Sequence, residues 1–152
     1  MKRLENPLRA LHPDLPDVGR VVYDALKASN DSSFKIADET YQKYRRCFAL
    51  LGQQDYIESA HRLGSPVPLN TRISDPQFLL YLCAMFEDRA KMDALLARAD
   101  SAPPWSSLDG KSIGQDLNLP IPVVRAVFEI FEKRGLGFCS KEIGRVSYHA
   151  SA

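Results

Sequence analysis

The sequence predicts a mainly α-helical protein with one small β-hairpin near its C terminus. Three observations carry this expectation. Apolar residues recur at helical spacing through most of residues 1–104. Glycine, asparagine and proline interrupt those runs at intervals suited to helix ends. After Gly135, two β-like segments over 136–140 and 145–149 flank a four-residue loop, 141–144, with glycine in a late position.

Residues 1–16 carry Pro7, Pro13 and Pro16 and read as an irregular lead-in with one short turn over 7–11. Asp17 fits the N-cap of a helix over 18–28, whose Val18, Val21, Val22, Ala25 and Leu26 share a face. That stripe is either core or a self-association surface, with core favoured. Polar residues over 29–33 break the pattern. A second helix over 38–51 places Tyr41, Tyr44, Phe48 and Leu51 together and leaves Lys43, Arg45 and Arg46 largely outside the stripe. A third over 54–63 presents Tyr56, Ile57, Ala60 and Leu63, with Gly64 as its stop, so the pair resembles an αα-hairpin.

The stretch 64–75, with Pro66 and Pro68, reads as a loop and is the best candidate for a subdomain boundary. Ser74 or Asp75 caps the next helix, with Pro76 in its first turn. Residues 78–86 are apolar on most of the circumference, which predicts the centre of a core. A charged break at 87–89 precedes helix 90–99, either a separate element or the continuation of a bent one. Pro103 and Pro104 end it. No internal repeat or low-complexity tract is visible.

Composition narrows the functional classes. The 152 residues are 45% hydrophobic and 26% charged, and 20 Lys and Arg against 19 Asp and Glu give a net charge of +1. That balance speaks against a strongly basic nucleic-acid coat or a polybasic membrane anchor. The run 78–86 falls far short of the ~20 residues that span a bilayer, and no secretory signal is expected. Three scattered cysteines, Cys47, Cys83 and Cys139, suit a reducing cytoplasm; Cys83 is expected in the core and Cys47 near a helix surface. His12, His61 and His149 are isolated, and no Cys or His pair has metal-ligand spacing, so neither a metal nor another cofactor is expected. A four-residue loop would set Cys139 opposite Val146, which does not support a Cys139–His149 nucleophile pair. No phosphate-binding glycine loop, G-x-S-x-G or H-E-x-x-H motif is present, and the expectation is a non-enzyme.

From Trp105 the order of elements changes. A short extended lead-in precedes helix 111–117, a turn at Asn118-Leu119-Pro120, and a longer helix ending at Arg134. The segment Ser112-Ile113-Gly114-Gln115-Asp116-Leu117-Asn118-Leu119-Pro120, followed by Val124 to Leu136 and the hairpin, resembles the winged helix-turn-helix superfamily. The resemblance covers about residues 105–149. It implies a helical, bundle-like part over 1–104 followed by a winged helix over 105–152, joined too closely at Pro103-Pro104 for independent motion.

Winged helices bind DNA in many regulators and protein in others, so two functions follow from the resemblance. As a DNA-binding regulator, a dimer by expectation, the protein would read the major groove with helix 120–134. Its polar arc holds Pro122, Arg125, Ala126, Glu129, Glu132 and Lys133, and Arg125 is the one residue suited to guanine O6 and N7. Lys111 and Ser112 lie at a helix N-terminus suited to a phosphate, and Lys141 and Arg145 flank the wing. For each cation taken alone, solvated surface is the favoured reading. Glu129 and Glu132 oppose phosphate charge, and residues 105–152 hold six Lys or Arg against five acids. As a protein-binding adaptor, the chain would instead use the second apolar stripe, Val123, Val127 and Ile130. Exposure of that stripe separates the two readings.

Overall fold

A computed structural model describes residues 12–142 and 145–151 of the chain. Residues 1–11 of the lead-in expected over 1–16, with its short turn, and the centre of the hairpin loop, 143–144, lie outside the described residues. Among those described are seven helices and two three-stranded antiparallel sheets, so the fold is mixed α/β rather than helical with one β-hairpin. The chain divides into two compact units, Met1–Asp75 and Pro76–Ala152. The division falls at the end of the 64–75 stretch, and helices 76–86 and 89–100 belong with the C-terminal elements.

The first unit opens with α1, Leu15–Ser29, which starts earlier than expected, with Asp14 rather than Asp17 at its N-cap. Leu15, Val18, Val22, Tyr23 and Leu26 are buried and Val21 and Ala25 half-buried, so Val18, Val22 and Leu26 of the stripe are core. Asn30 in the left-handed region ends α1, and its N–H donates to the Leu26 carbonyl. The strand β1, Ser33–Phe34, follows. The single helix expected over 38–51 is two, α2 (Asp38–Lys43) and α3 (Arg45–Gln53), broken at Tyr44. Their shared stripe survives the break: Tyr41 stacks on Phe48 with ring centroids 4.8 Å apart.

The third helix and the loop after it are instead a β-hairpin, β2 (Ile57–His61) and β3 (Pro68–Ile73). Asp55 takes a left-handed φ of 58°, which turns the chain out of α3 and starts it again as extended backbone. The apolar residues at 56, 57, 60 and 63 fit a helical period, but tertiary pairing decides the outcome. Glu58 lies opposite Arg72 and pairs with it at 2.8 Å. Ser59 lies opposite the fully buried Thr71, with their hydroxyls 3.1 Å apart. Pro68 occupies the first position of β3, where a strand tolerates a missing N–H. The strand order is β1-β3-β2.

The second unit begins with α4, Pro76–Phe86, and α5, Arg89–Asp100. They are two helices, because Asp88 is extended and its carboxylate caps α5 at the Ala90 N–H, 3.0 Å away. Although α4 is apolar almost throughout, it buries only Phe78, Leu79, Leu82 and Cys83. The central helix is a later one. After β4 (Ser107–Asp109) come α6 (Gly110–Leu117) and α7 (Ile121–Lys133), then β5 (Gly137–Glu142) and β6 (Arg145–Ala150). In α7 eight of thirteen residues are buried, under α4 and α5 on one side and the β5–β6 hairpin on the other. Gly135, at φ 73°, supplies the stop after α7. The hairpin pairs to its end, Glu142 opposite Arg145, so Cys139 faces Tyr148 across the strands and not Val146.

The second sheet has the order β4-β6-β5. Each unit therefore contains the same succession: helix, strand, helix, helix, hairpin, with the last strand paired centrally between the other two. No such repeat is visible in the residues themselves.

Candidate functional site

The residues singled out in the C-terminal part are distributed by α6, α7 and the hairpin. Lys111 and Ser112 are exposed in the first turn of α6. Asp109, the residue before α6, accepts from the Ser112 N–H at 3.2 Å and from its hydroxyl at 2.8 Å. The helix terminus thus already holds a carboxylate of the chain, which a phosphate would have to displace. Lys111 remains as a solvated cation with no ion pair among the described residues.

Along α7 the expected polar arc is narrower than its sequence spacing. Pro122 and Ala126 are buried, and the residues that are not are Ile121, Arg125, Glu129, Glu132 and Lys133. The Arg125 Nε donates to Glu129 Oε1 at 2.9 Å one turn on, and the two side chains are 32% and 23% exposed. Glu132 turns to the hairpin, where its Oε2 accepts from the Cys139 N–H at 2.6 Å. This bond occupies a backbone donor of β5, the edge strand of the sheet. Only Lys133 of the arc is fully solvated. Lys141 and Arg145 stand on β5 and β6 beside the hairpin loop.

The second apolar stripe is closed. Val123 and Val127 are 0% exposed and Ile130 is 8% exposed, so these three side chains are core and present nothing to a partner. The cysteines are buried as well: Cys139 lies opposite Tyr148, and Cys47, expected near a helix surface, is 2% exposed.

Cys47 belongs to one cluster that sequence spacing could not reveal, since its partner lies 35 residues away. The Cys47 Sγ is 3.5 Å from His12 Nδ1, and the same nitrogen accepts from the Asp14 N–H at 3.1 Å. Burial, and next the negative charge of Asp14, push the Cys47 thiol above the usual cysteine range. A thiol pushed up in this way is held protonated, unlike an activated nucleophile. Cys47, His12 and Asp14 line one open cavity of about 330 Å³ together with Lys43, Arg45 and Arg46.

Among the described residues no group of three or more His, Cys, Asp or Glu could hold a metal ion, and no helix is long and apolar enough to cross a membrane. No protein-family model, curated protein or solved structure matches the chain.

Proposed function

We propose that this is a DNA-binding regulatory protein of the transcription-regulator type, without catalytic activity, in which Pro76–Ala152 acts as a winged helix on duplex DNA. The observation that carries the reading is the arrangement of β4, α6, α7 and the β5–β6 hairpin, with β6 between β4 and β5. Burial of Val123, Val127 and Ile130 supports it over an adaptor built on that stripe.

In this reading Lys111 and Lys133 meet phosphates, and Lys141 and Arg145 follow the backbone from the wing. Glu129 holds the Nε edge of Arg125 and directs the guanidinium, whose terminal nitrogens then pair with guanine O6 and N7. Selection of tight-binding duplexes from a randomised pool tests this. The selected sites should share a guanine, and Arg125→Ala should relax the preference there by roughly 1–3 kcal/mol. Unchanged selectivity in Arg125→Ala would remove Arg125 as the reader.

A further inference from the structure

We infer that Met1–Asp75 is a second duplex-DNA-binding module and that α3 is its groove-facing helix. The inference rests on the proposed function, and it adds a DNA-binding surface in a part of the chain that shows no such motif. The first support is topological. The first unit runs α1, β1, α2, α3 and the β2–β3 hairpin in the order β1-β3-β2, as the second runs α5, β4, α6, α7 and the β5–β6 hairpin in the order β4-β6-β5. By position, α3 corresponds to α7 and the 62–67 connection to the wing.

The second support is the surface of α3. It buries only Cys47, Phe48 and Leu51, and leaves Arg45, Arg46, Ala49, Gly52 and Gln53 exposed. In helices of this placement the N-terminal residues reach the base edges. Here those residues are Arg45 and Arg46, exposed and without an ion pair among the described residues. Lys43 precedes them, its Nζ 5.1 Å from the centre of the Tyr44 ring. No acid lies on α3, whereas α7 carries Glu129 and Glu132. The positive end of the helix dipole adds to the three cations. Ala49, Gly52 and Gln53 are small or uncharged, which lets backbone approach a groove wall and gives one amide suited to adenine N6 and N7. Arg62, exposed just after β2, stands where a wing would touch phosphate. Duplex DNA matches the cations of this surface, Lys43, Arg45, Arg46 and Arg62, in sign of charge, and Asp14 is the acid that shares a cavity with the first three.

The experiment compares the full chain with its Arg45→Ala/Arg46→Ala variant in anisotropy titrations of a labelled mixed-sequence duplex at several salt concentrations. The variant should bind at least about tenfold more weakly, and its log K against log[salt] slope should be shallower by about 0.9 for each phosphate it no longer neutralises. A melting curve confirms its fold, since exposed substitutions away from packing change stability little. Arg62→Ala gives an independent reading, with a smaller drop in affinity and a shallower slope. If both variants match the parent in affinity and slope while the parent binds duplex, the inference is overturned and the C-terminal reading stands. If the parent binds no duplex at all, both are overturned.

Discussion

The helices α3 and α7 hold the same position in two units of the same strand order, yet one shows its outer face and the other hides it. Three of nine residues are buried in α3 and eight of thirteen in α7. The difference traces to what surrounds them. In the second unit α4 and α5 pack on α7, and Glu132 ties it to the edge of the hairpin. In the first unit α1, α2 and β2 pack around α3, and these leave its polar side in solvent. The same topology thus yields a mostly buried helix with a narrow polar face in one case and a surface helix in the other.

The sharpest way to break the comparison is to place one carboxylate on each helix. Val127→Asp would bury a charge at a position with 0% exposure and no partner, which costs several kcal/mol. We expect the second unit to lose its cooperative thermal transition. Ala49→Asp, on the solvated side of α3, should change stability by no more than about 0.5 kcal/mol. Equal melting temperatures in the two variants would contradict the burial difference.

A smaller effect separates the two hairpins. At Gly137 an added Cβ would lie 2.5 Å from the His149 carbonyl oxygen and from the Tyr148 ring. Gly137→Ala should therefore cost about 1–3 kcal/mol in chemical denaturation, as overpacking does. Gly64, in the connection of the first hairpin, has open space where a Cβ would be, and there only its positive φ of 77° favours glycine. Smaller again is Thr71→Val, which strips the central strand β3 of its buried hydroxyl and leaves Ser59 without that partner. A destabilisation of about 1 kcal/mol is expected. Unchanged stability would mean that the Ser59–Thr71 pair does not help hold β2 to β3.

The smallest predicted effect appears only in alkali. Burial, and then the charge of Asp100, raise the Tyr148 pKa above the usual tyrosine value. The neutral phenol is the form the fold favours, and its hydroxyl donates to the Leu136 carbonyl at 3.0 Å. The unfolded chain therefore loses this proton first as pH rises. The contribution is complete below about pH 10 and is lost as pH climbs through the folded-state value. Melting temperature should decline above about pH 10, and Tyr148→Phe should show a shallower decline from a lower starting point.

Much of the second unit was legible in the sequence. Asp109, Gly135 and the paired prolines mark its element ends with local chemistry, and the observed α6 and α7 start and stop within a residue or so of expectation. The first unit was less so. Tyr56, Ile57 and Ala60 satisfy a helical period, and only long-range partners, Arg72 for Glu58 and Thr71 for Ser59, make that segment a strand. Site residues divided for a similar reason. Sequence spacing singled out Arg125 as a candidate but could not show that Glu129 binds it or that α4 packs on its helix. Lys43, Arg45 and Arg46 were visible as cations off an aromatic stripe, yet the role proposed for them rests on a sheet order that no local pattern reveals.

The most direct test of the account is an anisotropy titration of a labelled mixed-sequence duplex with the full, unsubstituted chain at low and at physiological salt. The account predicts saturable binding at low salt that weakens steeply as salt rises, the mark of phosphates exchanging counterions for protein cations. Absence of binding at both salt concentrations would contradict it, because even a non-specific DNA-binding protein responds at low ionic strength.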